Sequence, residues 1–309
     1  MCSEIVLRDS GQFCNLSEVV IRPNDTLETL SNKIEIATII GTLQSSLTNF
    51  RYLRKVWRNN CEEERLLGVS LTGIMDHPVM NGSEGNDKLI SWLEQLKAVS
   101  QDVNDELSAL LGINPSTAIN AVKPSGTVSQ LVDTASGIHP RYSPYYIRTV
   151  RADNKDPLAI LMMDKGVPFE PDITKPNTTV IFSFPIKSPE GSVFRDDRTA
   201  IDQLELWKVY QLHYCEHKPS ITIYVKENEW LEVASWVYNN FDILSGVSFL
   251  PHSNHNYKQA PYQEIEEEEY YKELENVVNI NWDDLSEYEK TDQTTSMKEY
   301  ACTGNSCEL

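Results

Sequence analysis

The stretch Leu66-Leu67-Gly68-Val69-Ser70-Leu71-Thr72-Gly73 decides the fold. It is short, apolar and bounded by turn formers, which is the pattern of a strand buried on both faces. Long helical patterns flank it. Upstream, Leu27, Leu30, Ile34, Ile36, Ile39, Ile40, Leu43 and Leu47 fall at helical spacing and predict a helix over 26–53, with Asp25 or Thr26 as N-cap. Downstream, Leu89, Trp92, Leu93, Leu96, Val99, Val103, Leu107 and Leu110 predict a second helix over 86–111, stopped by Gly112. Further strands are predicted at 178–184, 220–225 and 246–250, and helices at 201–217 and 229–239. Strands alternating with long helices indicate an α/β layer or barrel with a buried sheet.

The chain has 309 residues with 40% hydrophobic content, enough for a real core. Its formal net charge of -19 repels nucleic-acid phosphates and anionic lipid, so neither is expected as a partner. A single nucleotide is still allowed, because backbone N–H groups bind phosphate inside an acidic protein. Met1-Cys2-Ser3-Glu4-Ile5 has no secretory pattern and no segment approaches the length of a membrane span, which predicts a cytoplasmic protein. Six cysteines in a chain this long are read as thiols, some of them redox-active.

Beyond Pro261 the composition changes. Residues 264–269 are nearly all acidic and 281–307 are polar without apolar periodicity, which predicts a main domain over 1–262 and a flexible acidic tail over 263–309. The tail ends in Cys302-Thr303-Gly304-Asn305-Ser306-Cys307, where Gly304-Asn305 permits the reversal that brings two cysteines within disulfide reach. At the other end, Cys2 and Glu4 share one side of an extended segment, so a thiol and a carboxylate face the same ligand. Pro124, Ser125, Gly126, Thr127, Val128 and Ser129 combine turn formers and hydroxyls ahead of a helical patch, so amides and hydroxyls converge as a phosphate loop does; the same wording also suits an ordinary turn.

Cys2-Ser3-Glu4-Ile5 followed by Phe13-Cys14-Asn15-Leu16-Ser17-Glu18-Val19 resembles the finger loop of class II ribonucleotide reductases, the monomeric adenosylcobalamin-dependent triphosphate reductases in particular. The resemblance continues in family order. It runs through 68–76, through Val122-Lys123-Pro124-Ser125-Gly126-Thr127-Val128-Ser129, and through Ser136-Gly137-Ile138-His139. It then passes 217–222, 225–230, 248–251 and 260–262 and closes on the C-x4-C tail.

The resemblance implies the second half of a ten-stranded α/β barrel with a central finger loop. It makes Cys2 the thiyl radical that takes the ribose 3'-hydrogen and Glu4 the base for the 3'-hydroxyl proton. Cys14 becomes one member of the reducing dithiol, and Cys302 and Cys307 the pair that re-reduces it before thioredoxin or a similar donor resets the tail. Pro124 to Ser129 become the substrate-phosphate loop, ribonucleoside triphosphates (or diphosphates) the substrates, and adenosylcobalamin the cofactor. No metal site is expected.

The chain departs from the family in three ways. No asparagine stands two residues before Cys2, position 3 is serine where glycine is usual, and the cysteine that pairs with Cys14 is absent. A missing N-terminal half is therefore expected as a partner, whether through a split gene, trans-splicing or an incomplete frame, and the chain by itself is expected to be inactive. Three rival readings stand beside this one. Tyr145-Tyr146 and Tyr270-Tyr271 would suit a class I radical path, His213 and His217 at i,i+4 would suit zinc, and the tail cysteines alone would suit a thiol-disulfide exchange module.

Overall fold

The computed structural model describes residues 3–252, 258–291 and 293–294, and the backbone of 302–303 and 306–307. The chain opens with β1 (Asn15–Val20), α1 (Leu27–Ser45), α2 (Lys55–Glu64), β2 (Leu67–Thr72), α3 (Asn86–Leu111), β3 (Asn120–Ala121) and α4 (Val128–Leu131). It continues with β4 (Tyr145–Asp153), α5 (Pro157–Asp164), β5 (Phe169–Pro171), β6 (Thr179–Lys187), α6 (Ala200–His213), β7 (Ile221–Val225), α7 (Trp230–Asn239) and β8 (Val247–Pro251). The last elements are β9 (Tyr262–Glu264), α8 (Glu267–Glu275), α9 (Leu285–Tyr288), β10 (Cys302–Thr303) and β11 (Ser306–Cys307). They fall into two compact units, one built from the described residues of 1–141 and 189–253, the other from those of 142–188 and 254–308.

The first unit is the α/β part. Its sheet β1-β2-β3 is parallel throughout, and β7-β8 form a second parallel pair. A parallel bridge between Val122 and Pro219 joins the two edge to edge, so five strands form one parallel arc. The strand read first, β2, is buried along its whole length. Alternation along it explains why. Leu67, Val69 and Leu71 enter a core shared with Leu30 and Ile34 of α1 and Leu89, Leu93 and Leu96 of α3, while Gly68, Ser70 and Thr72 face the opposite side. The α/β class therefore holds, but no closed barrel forms among the described residues.

Helix α3 has the expected bounds, and Gly112 closes it in the left-handed conformation at φ 66°. Helix α1 starts at the expected cap, Thr26, in a capping box with Thr29, but stops at Ser45, short of residue 53. There the amide and hydroxyl of Ser46 turn back onto Leu43 and divert the chain. Helix α2 and strands β1 and β4 escaped the sequence reading. In α2 only Val56, Trp57 and Cys61 are apolar among charged and amide neighbours, too few to mark a helix in the sequence.

The second unit holds an antiparallel sheet, β5-β6-β4-β9, packed on α5 and on the segment around Ile280. Here the expectation of a mobile acidic tail from residue 263 is corrected. Residues 262–264 pair with β4, and the acidic run is the first turn of α8, where three glutamates meet the positive end of the helix dipole. Ile280 is buried, and Val278, Leu285 and Tyr288 pack beside it.

Candidate active site

The site lies on the face of β1 and β2 turned away from the helices. In parallel register Leu16 stands beside Gly68, Glu18 beside Ser70 and Val20 beside Thr72. Glu18, Ser70 and Thr72 thus put a polar row between Leu16 and Val20 on that face. Cys14 precedes the row and lies over Gly68, whose missing side chain makes room for Leu16. A Cβ at Gly68 would stand 3.5 Å from Cys14 Sγ and 3.2 Å from Ile5, and would collide with Leu16.

Glu4 reaches the same place from the extended segment before β1. Its side chain is 6% exposed, and Oε1 accepts a 2.8 Å hydrogen bond from Lys123 Nζ. Oε2 is buried and has no hydrogen-bond partner among the described residues. An unpaired buried carboxylate oxygen is costly, and a ligand hydroxyl would satisfy it. Burial, with the charge of Glu4 as a second cause, pushes the Cys14 thiol up to about 12, so free Cys14 is held as a thiol.

The proposed phosphate loop follows directly. Its frame is built by side chains: Lys123 N–H donates to Ser70 Oγ, Ser125 N–H to Ser136 Oγ, and Ser129 N–H to Ser125 Oγ. Ser129 Oγ in turn donates to the Ser125 carbonyl. Pro124, Ser125 and Ser129 are buried, Gly126 is half-buried, and Thr127 and Val128 are exposed. The amides of Gly126 and Thr127 make no hydrogen bond among the described residues, which leaves donors at the mouth of the loop. Behind it, Gly137 adopts φ 54° so that its backbone can lie against the Lys123 carbonyl, where a Cβ would stand only 2.6 Å from that oxygen.

The sequence reading gave Glu18 no part in this site, and took Lys123 only as the residue that opens the phosphate-loop segment, with no link to Glu4. Burial raises the Glu18 carboxyl above the usual range, while Ser125 and Thr72 hydroxyls and the charge of Lys123 act the other way. Strand parity was the available signal, because Cys14, Leu16 and Glu18 share one face once residues 15–20 are recognised as a strand.

His139 is a joint and has no role on that face. Its Nδ1 donates to the Ser136 carbonyl and its Nε2 accepts from the Thr222 amide at 2.9 Å, which only the neutral ring can do. Burial lowers its pKa from 6.5 to about 4. Because the folded value is depressed, the unfolded chain takes up the proton first as pH falls. His139 should therefore remove about 3 kcal/mol of stability between pH 6.5 and 4, and none above that window. Urea denaturation across this range should show a steeper loss in wild type than in His139→Gln; parallel curves would exclude the linkage.

The remaining sequence-derived candidates fall as follows. Cys2 lies outside the described residues. Cys302 and Cys307 are register partners across the antiparallel pair β10-β11, and such partners have Cα atoms about 4.5 to 5.5 Å apart, within disulfide span. The zinc spacing is not realised on one helix, because α6 ends at His213. The His213 ring meets Glu94, and His217 Nε2 donates to the Leu67 carbonyl. The tyrosine doublets pack together in the second unit, Tyr145 on Tyr270 and Tyr270 on Tyr271, with Tyr145 OH donating to Glu267.

The arc of parallel strands belongs to a class of α/β fold that a solved structure shares. The chain superposes on the crystal structure of a B-12 dependent (class II) ribonucleotide reductase with a TM-score of 0.80 and 24% identity, over 93% of this chain and 43% of that one. Among curated sequences it is 26% identical to the adenosylcobalamin-dependent ribonucleoside-triphosphate reductase of Lactobacillus delbrueckii subsp. bulgaricus, over 100% of this chain and 45% of the relative. It is 29% identical to the probable enzyme of that name in Dictyostelium discoideum (92% of this chain, 37% of the relative) and 28% identical to that of Euglena gracilis (87% and 36%). The chain is a homologue of the adenosylcobalamin-dependent ribonucleoside-triphosphate reductases and spans less than half the length of these relatives. No family model matches it.

Proposed function

We propose that this chain carries the catalytic half of a ribonucleoside-triphosphate reductase. The observation that carries the reading is the buried, unpaired Oε2 of Glu4 on the same face as Cys14 and beside the Pro124 to Ser129 loop. Loop amides hold the substrate phosphates, Glu4 accepts the 3'-hydroxyl proton, and Cys2 exchanges the 3'-hydrogen. The C2'–O bond breaks and water leaves. Cys14 and a second thiol supply two electrons and become a disulfide, which Cys302 and Cys307 reduce by exchange before thioredoxin or a similar donor resets them.

Adenosylcobalamin, when bound, supplies the homolysis that starts radical chemistry at Cys2. The described side chains fit a cobalamin that keeps its own lower base. His77, His139 and His217 all spend ring nitrogens on backbone groups, and the sequence has no D-x-H-x-x-G motif. The five-strand arc supports the second half of a ten-stranded barrel with the 3–14 segment as its finger loop, and the chain beyond α9 bears the tail thiols Cys302 and Cys307. Among the described residues no helix is long and apolar enough to cross a membrane, and thiol chemistry of this kind suits a reducing cytoplasm.

A complementary half completes the barrel. Strand β1 is an open edge among the described residues, and α1 is apolar on its outer side as well, with Ile36, Ile40 and Leu43 forming an exposed stripe that Leu47 extends just past its end. A cleft of about 420 Å³ lies between them, lined by Val20, Arg22, Lys33, Ile36 and Ile40 among others. Such an edge and stripe suit a further β-strand and helix from the rest of the relatives' length. The test is coexpression with a candidate upstream half, followed by assay of deoxynucleotide formation. Product is expected only with adenosylcobalamin, and none from the 309-residue chain alone. Turnover without the cofactor, turnover that requires a di-iron partner subunit, or turnover by the isolated chain would sink the proposal.

A further inference from the structure

We infer that Lys123 is a positioning residue that fixes the sugar-directed carboxylate of Glu4 at a set distance from the phosphate-binding loop. The inference rests on the reading of the site just given and deepens it. Glu4 and Lys123 are separated by 119 positions in the chain, and their 2.8 Å ion pair ties the finger segment to the start of the loop.

Both ends of this link are constrained. The Lys123 backbone is clamped from two sides: its amide donates to Ser70 Oγ on β2, and its carbonyl lies against Gly137, whose own amide donates to Thr72 Oγ1. Pro124 follows at once and stiffens the entry to the loop. The ammonium therefore projects from a fixed point. At its other end Glu4 is buried and gives one oxygen to Lys123, which leaves the second oxygen with no partner among the described residues. A carboxylate held by one oxygen presents the other in a defined direction.

Charge supports the same assignment. Glu18 lies on the same face and feels the Lys123 charge, so the one ammonium acts on a second carboxylate besides the Glu4 it contacts. Without the ammonium, a buried carboxylate at Glu4 would be uncompensated and would leave for solvent. The substrate would then meet a loop that still binds phosphate and a sugar site that has lost its acceptor. Lys123 is thus assigned a geometric task distinct from that of a phosphate ligand.

Two measurements on the full chain test this. In equilibrium binding, wild type should prefer a ribonucleoside triphosphate over its 3'-deoxy counterpart by about tenfold or more, the scale of a hydrogen bond to a charged group. Lys123→Met should reduce that preference to within about twofold while inorganic tripolyphosphate binds as before, and Lys123→Arg should restore part of it. A retained sugar preference with tripolyphosphate binding lost about tenfold would overturn the inference, since Lys123 would then be a phosphate ligand.

The second measurement needs no nucleotide. Alkylation of Cys14, read by peptide mass, should accelerate several-fold in Glu4→Gln because the nearby charge is gone. Lys123→Met should move the rate in the same direction as its freed carboxylate swings away, and Lys123→Arg should return it. A Lys123→Met rate equal to or below wild type overturns the link between the two residues. If wild type binds none of the three ligands, the proposed function fails while this arm still decides the link.

Discussion

Glu4→Gln is expected to lower deoxynucleotide formation by the complemented enzyme by about 10²- to 10⁴-fold, the range for removing a general base, with substrate affinity changed only a few-fold. Glutamine is nearly isosteric and its carbonyl oxygen can still accept from Lys123 Nζ, so the buried pair survives in outline. What disappears is the capacity of the second, unpartnered oxygen to take a proton. The effect therefore belongs to the chemical step. Single-turnover formation of deoxynucleotide, measured with enzyme in excess, isolates that step from re-reduction by the tail. A loss of less than about tenfold there would remove Glu4 from the role of base, whatever happens to steady-state turnover.

Arg141→Met is expected to destabilise the first unit by about 3 to 5 kcal/mol, because it strands a buried charge. Arg141 and Asp76 are 3% and 1% exposed at their side chains and form a two-pronged pair, Nε to Oδ1 at 2.8 Å and Nη2 to Oδ2 at 3.0 Å. Asp76 also accepts from the Ala135 amide and the Ser192 hydroxyl, both at 2.8 Å, and Arg141 Nη1 reaches Asp133 at 2.9 Å. This network anchors residues 133–136, including Ser136, whose hydroxyl accepts from the Ser125 amide at the base of the 124–129 loop. Urea denaturation provides the measurement. Replacing both partners, Arg141→Met with Asp76→Leu, should recover part of the loss because neither charge is then buried alone. A single substitution costing under about 1 kcal/mol would show that the pair is relaxed by solvent.

Much of the framework was legible in the residues. Buried parallel strands read as apolar runs, so β2 and β7 could be placed, the half-buried β8 was legible from its own apolar run, and α3 carries an uninterrupted helical period up to Gly112. Less visible were elements whose partners are polar or remote. Strand β1 alternates Asn15, Ser17 and Val19 on the helix side with Leu16, Glu18 and Val20 on the site side, so polar and apolar residues are mixed on both faces and no period of two shows. In the acidic run at 264–269 charge outweighed the cues for a helix N-terminus, and the same residues became ordered once their glutamates found the first turn of α8 and the hydroxyl of Tyr145.

From the amino-acid order alone came the α/β class, the thiols and acid of the finger segment, and the hydroxyl-rich turn after Lys123, since each is written in local period or in contiguous wording. Only the tertiary structure decided that Lys123 grips Glu4, that Glu18 joins the loop, and that Val122 bridges to Pro219 to extend the arc. Those pairings depend on strand register and on which sheet face a side chain takes. A shift of one residue would send every such group to the other side, and no local pattern records that choice across a hundred intervening positions.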